Sequence, residues 1–423
     1  MRILILGSGG RECAFAWKLA KELPKENIFI APGNAGTGNY GINVSLSLTN
    51  FHSIGDFCIE NEIDTLLPGG EDTLVAGIRN YFEDTESLKH IFVFGPDKEG
   101  AQLEGSKEFA KKFMFRHQIP TAKFMSFEKG QQAQAKDYLK TMKPPYVIKA
   151  DGLAAGKGVV IPETLLEAEH WIDKMLVNDQ FGSAGNTIVI EEFLSGIEVS
   201  FFAITDGSTY ILMPEAKDYK RIGEGDTGPN TGGMGAVSPV SFVDEKFKSK
   251  VINNVVEPTI RGLKSENINY RGFVFFGLIN VEGNPVVIEY NCRMGDPETE
   301  VVLPRFNNSL SDVIGAARNN SFSTLVSEFA NNFCTTVMLV SEGYPDNYTK
   351  GKTVQLGPIS DSIVFHAGTQ LKEDTIQTSG GRVMAITSFG KTMIEALDKS
   401  YNSINKIYFE GMNYRKDIGK DLS

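Results

Sequence analysis

Cysteine is scarce and scattered: four residues, Cys13, Cys58, Cys292 and Cys334, stand far apart with no C-x-x-C pair among them. That usage predicts reduced thiols, and the five histidines form no cluster at metal-ligand spacing, which argues against a zinc site. Long apolar runs are missing too. No stretch approaches the roughly 18 residues that cross a bilayer, and the opening MRILILGSGG reads as a buried strand entering a turn, so the expected location is the cytoplasm. Basic charge is also in deficit, with 42 Lys and Arg against 53 Asp and Glu and a net charge of -11. Without a long basic run the chain lacks the clustered cations that a nucleic-acid backbone requires, so any phosphate it binds is held locally.

What is present is enough apolar material, 41% of 423 residues, to build several cores in about three or four units. In the first hundred residues short apolar runs (Ile3 to Leu6, Ile28 to Ile30, Thr65 to Leu67, Ile91 to Phe94) alternate with helical patterns, the rhythm of a parallel βαβ sheet. Each run ends in glycine or proline, and in an open α/β sheet those carboxyl-end turns border the ligand crevice. A helix is predicted from Leu103 to His117, stopped by Ile119-Pro120. A glycine-rich unit from about 121 to 190 follows, with a β-hairpin candidate in PYVIKADGLAAGKGVVI. Strands are expected at 187–192, 198–204, 272–280 and 286–290, and in the tail at 334–340, 363–366 and 382–386, before a helix from about 391 to 406. Between them KRIGEGDTGPNTGGMGAVSP, with six glycines and two prolines, is expected to be neither helix nor central strand, and a loop of that length points to function.

Four segments carry candidate chemistry. The strand ending in Gly7, Gly9 and Gly10 invites a dinucleotide reading, but the third small position is Glu12 and the second strand ends in Ile30-Ala31-Pro32 without a ribose-binding acid. What stays open is a helix N-terminus suited to a phosphate, with Arg11 beside it, or a simple tight turn. DGLAAGKG at 151–158 is not a Walker loop, because three residues separate Gly152 from Gly156 and Lys157 is followed by Gly158; a glycine-rich hairpin tip still lets backbone N–H groups approach phosphate oxygens. Lys149 feeds that loop, with Ile148 and Ala150 on the opposite face, and is read as a semi-buried cation needing an anion or as an exposed edge charge. In VVIEYNCRMGDPETE, Glu289 and Asn291 share a strand face and offer two hard oxygens to Mg²⁺, with Arg293 on the same side; the plain alternative is a half-exposed strand ending in a polar turn. In TIVIEEFLSGIEVS, Glu191, Phe193, Leu194 and Glu198 offer an apolar slot and acids for a nucleoside, or form only a hairpin.

Taken in order, GSGGRE, APGNAG, LEGSKEFAK, IKADGLAAGKGV, IEEFLSG, DTGPNTGGMGAVSP, IEYNCRMGDPET, VFHAGT and GGRV resemble the glycinamide ribonucleotide synthetase family of ATP-grasp ligases over nearly the whole chain. The resemblance implies an α/β and α+β multidomain fold: a parallel-sheet pre-ATP-grasp domain (1–103), an ATP-grasp core (104–120 and 191–325), a lid (121–190) and a small C-terminal domain (326–423). It implies that Lys107, Lys149, Gly152, Gly156, Lys157 and Gly158 serve ATP phosphates, that Glu191, Phe193, Leu194 and Glu198 hold adenosine, and that Glu289 and Asn291 bind Mg²⁺, with Mn²⁺ the alternative ion. Arg293, Asp218 and Lys149 become the catalytic candidates, Asp218, Arg293, Gly295 and Asp296 the glycine side, and Gly9, Gly10, Arg11, Asn34 and Gly36 the phosphoribosylamine contacts.

The chain departs from the family pattern at Cys13 and Tyr219, where histidines are usual, and in PGGEDTL at 68–74; none of these is expected to touch the metal or phosphate residues. The implied reaction activates glycine as glycyl phosphate, releases ADP and forms an amide with the sugar amine, with positioning and charge neutralisation as the catalytic needs. Expected partners are the two small substrates, with no nucleic acid or membrane, a monomeric state, and at most transient contact with the preceding pathway enzyme. The rivals are another ATP-grasp ligase or carboxylase of purine synthesis, a NAD-dependent oxidoreductase, and a non-enzymatic nucleotide-binding scaffold.

Overall fold

Five parallel strands open the chain in the spatial order Ile42–Asn43, Ile28–Pro32, Ile3–Gly7, Thr65–Pro68 and Phe92–Val93. The computed structural model describes residues 1–153, 158–177 and 185–422. Ile3–Gly7 is buried throughout, and its side chains divide by the two-residue period of a strand: Leu4 and Leu6 join one apolar core, Ile3 and Ile5 another. The second, antiparallel sheet obeys the same rule. It runs Tyr210–Leu212, Ile197–Thr205, Tyr270–Val281, Asn284–Asn291, and sends Phe201 and Phe276 to the first core, Phe202 and Phe275 to the second. Pairing of Gly95–Pro96 with Tyr270–Val281 ties the two sheets together.

A third sheet, Phe124–Glu128, Thr187–Glu192, Tyr146–Ala150 and Val159–Val160, is antiparallel and has a core of its own. Helices Gln132–Leu139 and Leu165–Leu176 cover one face, where Tyr146, Ile148, Ile188 and Ile190 point, so Lys149 and Glu191 fall on the other. The predicted hairpin forms, with Lys149 opposite Val159.

Two expectations need correction. The helix expected from Leu103 to His117 is two helices, Gln102–Gly105 and Lys107–Arg116, because Ser106 adopts an extended backbone and its hydroxyl accepts from the Phe109 N–H at 3.0 Å. The glycine-rich segment at 220–239 does enter a sheet: Gly235–Ser238 is a fully buried strand lying between Lys217–Asp218 and Phe333–Ser341. Both prolines of that segment lie outside the strand, and a side chain at Gly235 would meet the Thr336 carbonyl at 2.6 Å, so small size is what this position requires. The six-stranded sheet so formed continues through Arg382–Gly390 to Ile363–His366 and is backed by helix Met393–Ile404, crossing the boundary expected at 325. Among the described residues no helix is long and apolar enough to cross a membrane, and all four cysteines are buried free thiols.

Candidate active site

Lys149 is buried, and its anion is Glu191: Nζ lies 2.9 Å from Oε1, while the carbonyl of Ile288 accepts a longer contact at 3.5 Å. In the antiparallel register Lys149 faces Val189, which makes Glu191 its diagonal neighbour on the same face. The other oxygen of Glu191 pairs with Lys111 Nζ at 2.8 Å. Lys111, one helical turn after Lys107, was not foreseen, although a spacing of four puts the two lysines on one helix face. Burial pushes the Lys107 ammonium down, with Glu289 pulling it back and Lys149 lowering it further. Lys107 Nζ donates to the Gly152 carbonyl at 3.1 Å. Asp151 caps the same helix, its carboxylate accepting from the Ser106 hydroxyl at 3.0 Å and the Glu108 N–H at 2.7 Å. Gly158 resumes the strand side of the hairpin; Gly156 and Lys157 lie outside the described residues.

The hydrogen-bonding register between Tyr270–Val281 and Asn284–Asn291 slips at Ile288, so that Gly277 faces Glu289 while Leu278 faces Val287. Past this bulge Glu289 and Asn291 share a face. Glu289 is exposed, its chain lies over Gly277 where a Cβ would come within 3.0 Å, and among the described residues its carboxylate makes no ion pair or hydrogen bond. A free carboxylate beside an amide oxygen is a donor set of hard oxygens, which fits a divalent cation that keeps its other positions for water and phosphate. Across from it stand Asp218, half-buried, and Glu198, whose carboxylate meets Lys220 Nζ at 2.5 Å. Lys220 holds the Glu198 carboxyl below its ordinary range, whereas burial raises that of Asp218, with Glu198 and Glu289 adding to it and Lys220 and Lys217 opposing. Phe193 is exposed and Leu194 half-buried in the segment joining the lid strand Thr187–Glu192 to the core strand Ile197–Thr205.

The turn after Asn291 is held by charge. Arg293 reaches Glu71 through Nε at 3.0 Å and Glu104 through Nη2 at 2.6 Å. Burial alone would raise Glu71, but Arg293 and Arg11 outweigh it and bring its carboxyl down to about 2. The PGGEDTL departure nevertheless reaches the site, since Glu71 belongs to it and pairs with Arg293, a catalytic candidate on the glycine side. Cys13 and Tyr219 do stay apart from this cluster: Cys13 is sealed in the core, and the Tyr219 hydroxyl donates to Asp421 at 2.6 Å. Gly295 is packed by Glu298, a buried carboxyl pushed up to about 8 by desolvation and by Asp218.

The first helix N-terminus is already filled. Glu12 accepts from the Gly9 N–H at 2.6 Å and Asp296 accepts from the Arg11 N–H at 3.3 Å, so of the two readings left open for these N–H groups the tight turn has its acceptors within the chain. Arg11 is spent on Glu12 at 2.7 Å and on the Met294 carbonyl at 3.0 Å. The Asn34 amide donates to the carbonyls of Ser8 and His366, while its oxygen accepts from the Gly36 and Thr37 N–H groups. Gly10 and Gly36 are buried, the first against Glu300 and the second against His366. Gly9 borders a cavity of about 450 Å³, walled by Ser8, Gly33 and Asp296 and by residues that the sequence gave no role, among them Thr369, Ser379 and Arg382. Arg382 crosses to Asp296 at 3.0 Å.

The chain matches three family models: phosphoribosylglycinamide synthetase N domain over residues 1–104, its ATP-grasp (A) domain over 105–299, and its C domain over 334–421. A phosphoribosylamine–glycine ligase of Vibrio cholerae is 42% identical, across 99% of this chain and 98% of that protein. The crystal structure of phosphoribosylamine–glycine ligase from Thermotoga maritima superposes with a TM-score of 0.85 at 36% identity, covering 99% of this chain and 100% of the other. The biotin carboxylase domain of Hydrogenobacter thermophilus 2-oxoglutarate carboxylase, solved with MgADP, shares the fold at 16% identity, with a TM-score of 0.76 over 100% of this chain and 95% of that one.

Proposed function

The chain belongs to the phosphoribosylglycinamide synthetase family, a ligase family of purine biosynthesis with an ATP-grasp domain, and on that premise we propose how its residues join glycine to 5-phosphoribosylamine. ATP with a divalent metal follows from the ATP-grasp domain; that the metal is Mg²⁺ is part of the proposal. The observation that carries it is the convergence of Lys107 and Lys149 with Glu289, cations for a polyphosphate and a free carboxylate for its metal, from segments far apart in sequence.

Lys107 and Lys149 bind and orient the phosphates, while the lid strand from Thr187 and the segment at Phe193 and Leu194 receive the adenosine. Glu289 and Asn291 would hold Mg²⁺, which when bound supplies positive charge to the polyphosphate. Glycine lies toward Asp218 and the turn through Gly295 and Asp296. Its carboxylate oxygen takes the terminal phosphoryl group, leaving ADP. Arg293, braced by Glu71 and Glu104, meets that step already oriented, which limits the reorganisation needed as charge moves. The sugar amine then attacks the carbonyl carbon of glycyl phosphate, the C–O bond breaks, and phosphate leaves with the bridging oxygen. The cavity between Gly9 and Arg382 seats the phosphoribosyl group, with Asn34 and Gly36 shaping its wall from behind. The working unit proposed is a monomer, with transient contact to the enzyme supplying the unstable amine.

ADP release should require glycine and phosphoribosylamine together, and with ¹⁸O-carboxylate glycine the label should appear in inorganic phosphate. Label in AMP, with pyrophosphate released, would replace the acyl phosphate route by adenylylation.

A further inference from the structure

Glu191 has a lysine for each oxygen, and the two lysines belong to different parts of the molecule. Lys149 Nζ meets Oε1 at 2.9 Å from the neighbouring lid strand, whereas Lys111 Nζ meets Oε2 at 2.8 Å from the core helix Lys107–Arg116. All three groups are buried, Glu191 at 3% exposure, Lys111 at 2% and Lys149 at 6%. Lys111 is also the better anchored cation. Its Nζ donates to the Thr121 hydroxyl at 2.7 Å, and that hydroxyl donates to the Val287 carbonyl at 2.8 Å, on the strand that carries Glu289. Among the described residues Lys149 has only the long contact to Ile288 besides its ion pair.

From this asymmetry we infer that Lys111 is a positioning residue for nucleotide binding: it keeps Glu191 paired while Lys149 leaves that carboxylate for a phosphate. The inference rests on the reading of Lys149 as a phosphate ligand. Removing one partner of a buried pair strands the other charge, which is strongly unfavourable. With Lys111 in place the departure of Lys149 strands nothing. Without it Lys149 would be the sole counter-charge of Glu191 and would be held there, in competition with the nucleotide. The arrangement also fastens the lid sheet to the helix that bears Lys107, so both phosphate lysines are referred to one fixed carboxylate.

A titration follows. Burial lowers the Lys111 ammonium to about 8, against the pull of Glu191 and with Lys149 pushing the same way; Glu192 is the remaining charge that faces it, and Thr121 and Phe124 are its uncharged neighbours. Above that pH Lys111 sheds its proton, and its hold on Glu191 weakens.

The test is a double-mutant cycle on the full-length enzyme, reading KM for ATP and for glycine and direct ATP binding by calorimetry. Lys111→Met should raise KM for ATP at least about tenfold and leave that for glycine within about twofold. In a Glu191→Gln background the same substitution should change KM for ATP by less than about twofold, because the carboxylate it serves is gone. An equal effect in both backgrounds, or none in either, overturns the inference. Should Lys111→Met fail to fold, Lys111→Arg decides: the rise of KM for ATP between about pH 7 and pH 9 in the wild type should flatten with a guanidinium that does not titrate, and an unchanged rise overturns it. Lys149→Met separates the two layers. If that variant binds ATP as the wild type does, the phosphate-ligand reading fails; if it loses ATP while Lys111→Met does not, only the role of Lys111 fails.

Discussion

At the scale of single residues, charge sign and spacing picked out polar side chains that the fold gathers, but not the partners each of them has there. The lysine between Ile148 and Ala150 reads either as a semi-buried cation needing an anion or as an exposed edge charge; it is buried with an anion, and that anion is Glu191, which the sequence offers as one acid of a nucleoside slot. The diagonal pairing depends on which strands become neighbours, and that is set by the whole lid rather than by the local run. The shared face of Glu289 and Asn291, proposed to hold the metal, was legible because residues two apart on a strand lie on one side, and the bulge at Ile288 falls before them and leaves that face intact. Glu289→Ala and Asn291→Ala should therefore each raise the Mg²⁺ concentration needed for half-maximal activity, whereas Glu282→Ala, in the exposed hairpin turn, should not; superimposable titrations for the three would remove the pair from the site. Glu298 gives a stability prediction. Its carboxyl titrates near 8 in the folded chain, above the ordinary 4.5, so from about pH 4.5 upward the unfolded chain has shed a proton that the folded chain retains. Folding stability from this group is full below about 4.5 and declines as pH rises to about 8. Melting curves should show Glu298→Gln gaining on the wild type across that window and no further above it; a constant difference would place the Glu298 pKa elsewhere.

At the scale of elements, periodicity found the strands and helices, and local chemistry decided where they break. The helix expected to run unbroken through Ser106 restarts there, and the signal was present as a glycine followed by a capping serine, outweighed by the apolar rhythm on either side. The restart has a use, since it turns the Ser106 hydroxyl and the Lys107 and Glu108 N–H groups toward Asp151 at the root of the lid loop. Ser106→Ala should lower stability by about 1 kcal/mol in urea unfolding, as loss of an N-cap does, and should also weaken ATP binding through the Asp151 tether. Unchanged ATP affinity with the stability loss would reduce Ser106 to a cap. The buried strand Gly235–Ser238 was missed for a different reason. Composition over 20 residues averages a glycine-rich turn with the four small residues that follow it, and what makes them a strand is the close approach of Phe333–Ser341, a partner about a hundred residues downstream.

At the scale of the whole molecule, the parallel sheet and a separate glycine-rich unit were readable from turn spacing and glycine content, and its part as a lid from the family resemblance, but the joining of core and C-terminal region was not. Lys217–Asp218 and Gly235–Ser238 share a sheet with Phe333–Ser341 and Arg382–Gly390, and Phe275, Met294, Cys334 and Phe365 lie in one apolar cluster. A chain ending at residue 325 should consequently fail to fold, because it would leave Gly235–Ser238 without one neighbour and open that cluster to water. A monomeric 1–325 product with a cooperative melting transition would disprove this integration. The same sheet bears on timing. The cavity between Gly9 and Arg382 is braced across by the Asp296–Arg382 pair, whereas the lid has, among the described residues, an apolar core of its own. If the cavity seats the sugar as proposed, exchange there should pass through a standing opening, while nucleotide exchange should wait on lid movement, on the order of microseconds to milliseconds. The expected consequence is a turnover limited by ADP release rather than by arrival of the amine, seen as a burst of ADP in the first turnover; a linear onset would disprove it.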